Sequence, residues 1–585
     1  MLKLFKNLSK KQVLFMIISI VFIVIQVNLD LKLPDYMANI TKLVQTNGNS
    51  QDILIEGSKM LGCALLSLLT SIIVGYLATY IASSFGQKIR GKVYRKVLSL
   101  NLEEIKEFSV ASLITRTTND VGQVQMLISF GLQALIKAPI MATLAIIKIA
   151  GKNLQFSLLT FLTVFILLIL IIITILLVMP KFKIIQKLTD NLNKITRENL
   201  TGIRVIRAFN AEKYQTNKFN DANIELTNTS LFTSKIMQIL PSSMTFLTST
   251  LTLSIYVLGA SLINQANMLD KITIFSDMIV FSSYAIQVIM SFVMLIMIFL
   301  IYPRAEVSAK RILEVLNKKN KIIDGNKIKG KESGTVEFKN VSFKYPDADE
   351  YIIKNINFKV NNGETVAFIG GTGSGKSTLV NLIPRFYDVT DGEVLVNGIN
   401  VKDYKLESLH EIFGYVSQRA VIFSGTIKEN ISYGKKKIND SNINDAIKIS
   451  QAEEFVSKMD EGINSYIARG GTNVSGGQKQ RLGVARAIAR KPEIYIFDDT
   501  FSALDYKTDY KLRSELKKYT ENSTTLIVAS RIGTIMNADK IVVLDKGEVV
   551  GFGTHKELLK NCKVYKEIAA SQLSEEELKW DMEEK

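Results

Sequence analysis

Six long apolar runs in the first half of the chain constrain its fold more than any other feature. The hydrocarbon layer of a bilayer takes roughly 20 helical residues to cross, and each run is long enough. A backbone inside lipid must satisfy its own hydrogen bonds, so these runs are expected to form helices. The predicted spans lie at about residues 13–33, 60–85, 127–149, 156–179, 237–263 and 278–302.

The placement of basic residues predicts how these spans are oriented. Four lysines precede the first span, which indicates a cytoplasmic N-terminus. The residues after its apolar core lack a small-residue cleavage site, so we expect the span to be retained. With six spans, the long basic loops at residues 86–126 and 180–236 and the C-terminus are then cytoplasmic, in a cell (plasma) membrane. We expect the two loops to form paired helical arms.

The formal net charge of +17 has two interpretations. Nucleic-acid binding is one, but basic residues collect on the cytoplasmic loops of membrane proteins, and we predict no nucleic-acid partner.

Two features of the predicted spans have more than one interpretation. Lys137, deep in the third span, must face a polar cavity or a partner, and it could contact a substrate or gate. Four methionines of the last span either pack or form an adaptable wall for apolar substrates, namely Met278, Met290, Met294 and Met297.

Residues 370–378, GGTGSGKST, carry the chemistry of the second half. The pattern G-x-x-x-x-G-K-S lets backbone N–H groups converge on phosphates, while the lysine adds a charge and the serine hydroxyl ligates Mg²⁺. An alternating run precedes the loop and an apolar run follows it, which predicts a strand, a loop and a helix. The cofactors expected here are ATP and Mg²⁺. The predicted binding residues are Gly370, Gly371, Thr372, Gly373, Ser374, Gly375, Lys376, Ser377 and Thr378.

A family resemblance rests on several further segments. Residues 474–478, VSGGQ, followed by KQRLGVARAIARKP, closely resemble the signature sequence of ATP-binding cassettes. Residues 112–120 and 198–212 are similar to the cytoplasmic-loop segments of exporters in that family. The resemblance implies an α-helical transmembrane domain of exporter type fused to an α/β P-loop nucleotide-binding domain.

The expected domain boundaries follow from this resemblance and from composition. They are residues 1–320 for the transmembrane domain, 321–333 for a lysine-rich linker, 334–572 for the nucleotide-binding domain and 573–585 for an acidic tail. We expect the tail to be a solvated end, with docking on the soluble domain as the alternative.

The resemblance also implies roles for individual residues. Tyr345 would stack on adenine, Gln418 would join the Mg²⁺ shell and the attacking water, and Asp498 would organise Mg²⁺ together with Ser377. Asp505 lies in a segment that crosses to a partner cassette. The signature residues would bind the ATP held by that partner, and they are Ser475, Gly476, Gly477 and Gln478.

Three positions depart from the family pattern. Ala468 stands in an inter-domain loop where the family commonly has a glutamate, and the other two departures affect the hydrolytic site. Asp499 stands where an active cassette has a glutamate as general base, and Ser530 stands where it has a histidine. Loss of general-base assistance typically costs ~10² to 10⁴ in rate. We therefore predict that this chain's own site binds ATP but hydrolyses it slowly. Since the signature is intact, the expected partner is a different half-transporter that supplies the missing glutamate and histidine.

The function predicted from the sequence is ATP-driven efflux of amphipathic drugs or lipid-like compounds. A homodimeric lipid flippase or exporter is one alternative, in which two impaired sites hydrolyse slowly. A regulatory subunit that only senses nucleotide is another. Membrane lipids surround the chain in each case.

Overall fold

The computed structural model describes residues 1–150, 154–434, 438–574 and 578. The chain divides into two compact units. One comprises Met1–Ser99 and Phe108–Lys318, and the other comprises Leu100–Glu107 and Lys319–Lys585.

The first unit is helical, because each apolar run forms the middle of a long helix. Within the described residues, six helices are long and apolar enough to cross a membrane, which confirms the predicted number. In chain order the helices of the first half are α1 (Leu2–Phe5), α2 (Lys10–Gln45), α3 (Ser50–Ser99), α4 (Leu102–Phe108), α5 (Val110–Thr117), α6 (Asn119–Ala150), α7 (Leu154–Thr201), α8 (Ile203–Ala208), α9 (Glu212–Gln265) and α10 (Met268–Asn317). All but α4 lie in the first unit, because most of α4 belongs to the second.

The long helices continue well beyond the predicted spans. Helix α3 runs about 14 residues past the second span, which ends near residue 85. Helices α7 and α9 likewise extend toward the short helix α8 between them. The loops at residues 86–126 and 180–236 are therefore largely helical.

Charged side chains meet among the helices of the first unit. Lys137 Nζ on α6 lies 3.2 Å from Asp30 Oδ2 on α2. Lys148 Nζ lies 2.8 Å from Asp35 Oδ2, and the Tyr284 hydroxyl on α10 donates to the other oxygen of Asp35 at 2.8 Å. Lys137 thus faces a carboxylate of its own chain, as an ammonium within a bilayer requires.

The second unit contains sheets and shorter helices. Its strands are β1 (Val336–Phe343), β2 (Ile353–Val360), β3 (Thr365–Gly370), β4 (Asp391–Val396), β5 (Ile399–Asn400), β6 (Phe413–Val416), β7 (Gly425–Thr426), β8 (Tyr466–Ile467), β9 (Ile494–Asp498), β10 (Thr524–Val528), β11 (Lys540–Asp545) and β12 (Glu548–Gly553). Its helices are α11 (Lys376–Leu382), α12 (Leu406–Glu411), α13 (Ile427–Ile431), α14 (Asp440–Ile449), α15 (Glu453–Val456), α16 (Gly476–Ala489), α17 (Tyr506–Tyr519), α18 (Ile532–Ile535), α19 (His555–Asn561) and α20 (Lys563–Ala570).

The largest sheet has the strand order β12-β11-β3-β10-β9-β6. Five of these strands are parallel, and β12 pairs antiparallel at one edge. Strands β9 and β10 are buried along their whole length, as expected for parallel strands covered on both faces. The carboxyl ends of β3, β10, β9 and β6 therefore lie side by side, where α/β sheets commonly bind ligands.

The described part of the acidic tail differs from the expectation of a solvated end. Leu573 and Leu578 pack against the apolar core that lies on one side of the largest sheet. Partial burial of these two apolar side chains favours contact with the core over a fully solvated tail. Trp580 and the other tail residues from 579 onward lie outside the described residues.

Candidate nucleotide-binding site

The glycine-rich loop leads directly from β3 into α11. Gly373 and Gly375 have φ values of 82° and 97°, a left-handed backbone that glycine adopts without steric cost. Gly375 is the residue that precedes the first turn of α11. An added Cβ at Gly371 or Gly373 would meet nothing within 4 Å, so the loop is open to a ligand.

Lys376 lies folded over this loop. Its Nζ donates to the carbonyl oxygens of Gly370 and Gly371, each at 2.8 Å. Burial lowers the pKa of Lys376, and the carboxylates of Asp499 and Asp498 oppose that shift. Both carbonyl partners belong to the loop itself, so the ammonium lies directly at the predicted phosphate-binding loop.

Ser377 and Asp498 meet next to the loop. The Ser377 hydroxyl donates to Asp498 Oδ1 at 2.8 Å, and Asp498 is only 4% exposed. Burial raises the pKa of Asp498, while the hydrogen bond from Ser377 opposes the shift. A hydroxyl and a carboxylate are the hard oxygen ligands that Mg²⁺ prefers, so these residues fit the predicted metal ion.

Gln418 and Asp499 are brought together from the ends of β6 and β9. Gln418 Nε2 donates to Asp499 Oδ2 at 3.2 Å. Asp499 has a left-handed backbone with φ of 46°, and its N–H donates to the carbonyl of Val528 on β10 at 3.0 Å. The Asp499 carboxylate therefore contacts the glutamine that the family resemblance predicts beside the attacking water.

Ser530 follows β10 and is exposed. The loop that carries it is held by Gln572, whose Nε2 donates to the Ser530 carbonyl at 2.9 Å and whose Oε1 accepts from the Ile532 N–H at 2.8 Å. Ser530 thus lies just beyond the carboxyl end of β10, the strand between β3 and β9 in the largest sheet.

Tyr345 lies beside the phosphate loop, two residues after β1. Its hydroxyl is 3.2 Å from Thr378 Oγ1 on α11. The rings of Phe343 and Tyr387 pack nearly perpendicular to it, with centroids at 5.0 and 5.3 Å. A planar aromatic ring next to a phosphate-binding loop is suited to stack on a nucleotide base.

The signature residues and Asp505 cap two other helices. Ser475 and Gln478 form a reciprocal capping box at the start of α16, while Gly476 is exposed with open space around it. Asp505 accepts from the Thr508 N–H at 2.9 Å at the start of α17, and this bond lowers the pKa of Asp505. The roles of these residues toward a partner's ATP stay predictions.

Sequence reasoning missed two residues that hold parts of the site in position. Gln480 on α16 is 3% exposed, and its Nε2 donates to the carbonyl of Gln418 at 2.8 Å, which ties the signature helix to the Gln418 loop. Because Gln480 follows the signature segment almost directly, its position in the sequence could have suggested a contact with another part of the site. Gln572 is distant in sequence from the Ser530 loop that it holds, and no local pattern predicts that contact.

Comparisons with known proteins agree with this geometry. Residues 353–502 match the family model described as "ABC transporter", and residues 16–292 match that of the "ABC transporter transmembrane region". An uncharacterized ABC transporter ATP-binding protein of Mycobacterium tuberculosis is 36% identical over 550 residues, which cover 93% of each chain. A similarly described protein of Bacillus subtilis is 34% identical, covering 92% of this chain and 93% of its own.

Solved structures show the same architecture. A bacterial Atm1-family ABC exporter with ATP bound superposes with a TM-score of 0.80 at 21% identity, covering 97% of this chain and 99% of that one. The predicted fold class, a helical transmembrane domain fused to an α/β P-loop domain, is confirmed.

Proposed function

The chain belongs to the ATP-binding cassette (ABC) transporters, and we propose that it is one half of an exporter whose other half is a different chain. Family membership makes the chain a membrane-embedded, nucleotide-binding transporter ATPase that works as a dimer and couples ATP hydrolysis to export. The proposal has four further parts. They are a partner of different sequence, slow ATP hydrolysis at this chain's own site, an amphipathic or lipid-like substrate, and a plasma-membrane location with both ends of the chain cytoplasmic.

The observation that carries it is the pair of side chains at the ends of β9 and β10. Asp499 occupies the general-base position and Ser530 the position of the family histidine. Aspartate is one methylene shorter than glutamate, and a displacement of ~1 Å can cost ~10²-fold in rate. Serine has neither the charge nor the reach of an imidazole. Both changes act on one reaction, so their costs need not add.

Binding of ATP is supported by residues of a different kind. Lys376 would offer its charge to the phosphates, and Tyr345 would stack on the base. Ser377, Asp498 and Gln418 would hold Mg²⁺, which when bound neutralises charge that develops on the phosphate oxygens. This side of the site supports retention of ATP even where hydrolysis is slow.

The signature segment supports a partner with an active site. Helix α16 begins at Gly476 with exposed backbone, and a helix N-terminus of this kind favours an anionic ligand. An intact signature would serve no purpose if every nucleotide site it met were inactive. We infer that it completes the site of a partner that carries the glutamate and histidine.

An apolar cavity in the first unit supports the substrate class. It has a volume of about 450 Å³ and lies among α6, α7, α9 and α10. Leu135, Ile175, Met179 and Tyr302 are among its lining residues. A cavity of this size and lining suits an amphipathic or lipid-like compound.

One observation favours a homodimer as the second candidate. Asp499 keeps a carboxylate within hydrogen-bonding distance of Gln418, so a weak base remains in place. Two such sites would hydrolyse slowly in a homodimeric flippase. A regulatory subunit would bind ATP through the same residues without carrying a substrate.

ATPase activity tests the proposal. The chain is purified alone and after co-expression with a half-transporter encoded nearby, with and without a glutamate-to-glutamine change at that partner's base. We expect activity only from the pair, and loss of it with the partner's change. Full activity of the chain alone, abolished by Asp499→Asn, would establish the homodimer instead. ATP-dependent uptake of a fluorescent amphiphile into inverted vesicles separates a transporter from a regulatory subunit.

A further inference from the structure

A short segment of the first cytoplasmic loop packs within the second unit. Leu100–Glu107 belongs to that unit, although in the sequence it joins α3 to α5, which both belong to the first unit. The segment is anchored by Glu104, a fully buried carboxylate that accepts from the backbone N–H groups of Asn101 at 3.0 Å and Lys321 at 2.9 Å. Its position beside the nucleotide site is therefore well defined.

Lys106, which lies two residues after this anchor, reaches the aromatic rings next to the phosphate loop. Its Nζ is 5.2 Å from the ring centroid of Tyr345 and 5.4 Å from that of Tyr387. Both distances lie within the range of cation–π attraction. A hydrogen bond with Tyr387 raises the pKa of Lys106, so the side chain is a charged ammonium.

The neighbours of Tyr345 limit how a base can reach it. Phe343 and Tyr387 pack nearly perpendicular to its ring, and its hydroxyl is directed to Thr378. The Lys106 ammonium also lies over the Tyr345 ring, and Lys106 is itself exposed to solvent. An adenine that stacked on the part of the Tyr345 ring facing Lys106 would compete with this ammonium.

We propose that Lys106 is a base-sensing residue, whose ammonium occupies the surface of Tyr345 on which adenine stacks and is displaced when ATP binds. The inference rests on the proposed function, since it assumes that Tyr345 receives the base. Displacement loosens the Leu100–Glu107 segment, which continues on both sides into helices of the membrane unit. Coupling of this kind is reciprocal, so release of the segment also favours ATP.

The test compares ligands with and without a base. ATP and inorganic tripolyphosphate are titrated by calorimetry into the purified full-length transporter carrying Lys106→Met, Lys106→Arg or no change. Lys517→Met is the control, because Lys517 is an exposed lysine on α17. We expect Lys106→Met to bind ATP about two- to fivefold more tightly, since an exposed cation–π contact is lost. Its affinity for tripolyphosphate should be unchanged, and Lys106→Arg should bind ATP no more tightly than the original chain.

Three results would overturn the inference. They are an ATP affinity that is unchanged or lower in Lys106→Met, an equal change for tripolyphosphate, and a gain of affinity in Lys106→Arg. A different measurement shows whether the premise, adenine stacking on Tyr345, is itself wrong. If Tyr345→Leu leaves ATP affinity unchanged, Tyr345 is not the adenine platform, and that part of the proposed function fails together with the inference.

Discussion

The predicted phosphate-binding and hydrolytic sides of the nucleotide site occupy neighbouring strand ends of one sheet, yet they differ in how closely they match the family pattern. At the end of β3, Lys376 and Ser377 are in place, and Ser377 already contacts Asp498. At the ends of β9 and β10 lie Asp499 and Ser530, which we propose stand where the family has a glutamate base and a histidine. The strands that carry both replacements stay fully buried. We therefore expect binding and hydrolysis to be separable, because Asp499 and Ser530 follow the strands and lie outside the buried core.

The largest expected effect comes from restoring the hydrolytic side. In a pair whose partner lacks its own base, Asp499→Glu combined with Ser530→His should raise residual ATPase activity about 10²-fold, the lower end of what general-base assistance contributes. The longer carboxylate regains its reach toward water, and the imidazole regains a polar contact to phosphate. Phosphate release at saturating ATP measures the gain.

Matched substitutions elsewhere provide the control for this gain. Asp460→Glu with Ser457→His makes the same chemical changes at exposed positions of the second unit and should leave the rate unchanged. If the transporter that carries Asp499→Glu and Ser530→His still hydrolyses ATP only at the residual rate, these two positions do not limit hydrolysis.

A smaller effect distinguishes the two sides by binding. Lys376→Met should weaken ATP binding about 30-fold, or about 2 kcal/mol, because charge-assisted hydrogen bonds to phosphate are lost. Asp499→Asn should not weaken it, since the change removes a negative charge near the phosphates. Isothermal titration measures both, with Lys517→Met as an exposed lysine control. Equal weakening by Lys376→Met and Asp499→Asn would mean that the two sides are not separable.

The sequence predicted those features that depend on local spacing. The phosphate loop needs its glycines, lysine and serine at fixed positions along the chain, and six apolar runs of sufficient length require six helices. Helix ends were not predictable in the same way. The second span was expected at residues 60–85, whereas α3 covers Ser50–Ser99, because apolar composition marks only the part within lipid and the helix continues through polar residues.

Contacts between distant segments could not be predicted from the sequence. Gln480 reaches the Gln418 carbonyl, and Lys106 reaches Tyr345, only because the fold brings separate segments together. A glutamine or lysine on the surface of a helix has many possible partners, and sequence spacing does not select among them. The same reason explains the tail, where Leu573 packs against the core despite its acidic neighbours.

The smallest expected effect concerns how the hydrolytic side is held in place. Gln572→Met removes the bond to the Ser530 carbonyl and the acceptor of the Ile532 N–H, with little change in side-chain volume. One such hydrogen bond contributes about 1 kcal/mol, so the Ile532 amide should exchange its hydrogen about fivefold faster. Hydrogen exchange measured by mass spectrometry on peptides that cover residues 529–535 detects this change, while peptides from β3 and the exposed Lys566→Met variant serve as controls. Unchanged exchange at Ile532 would show that the loop is held by its own backbone. Faster exchange confined to this loop would mean that the carboxyl-terminal segment helps to position the Ser530 side of the site, whereas the phosphate-binding side needs no such support.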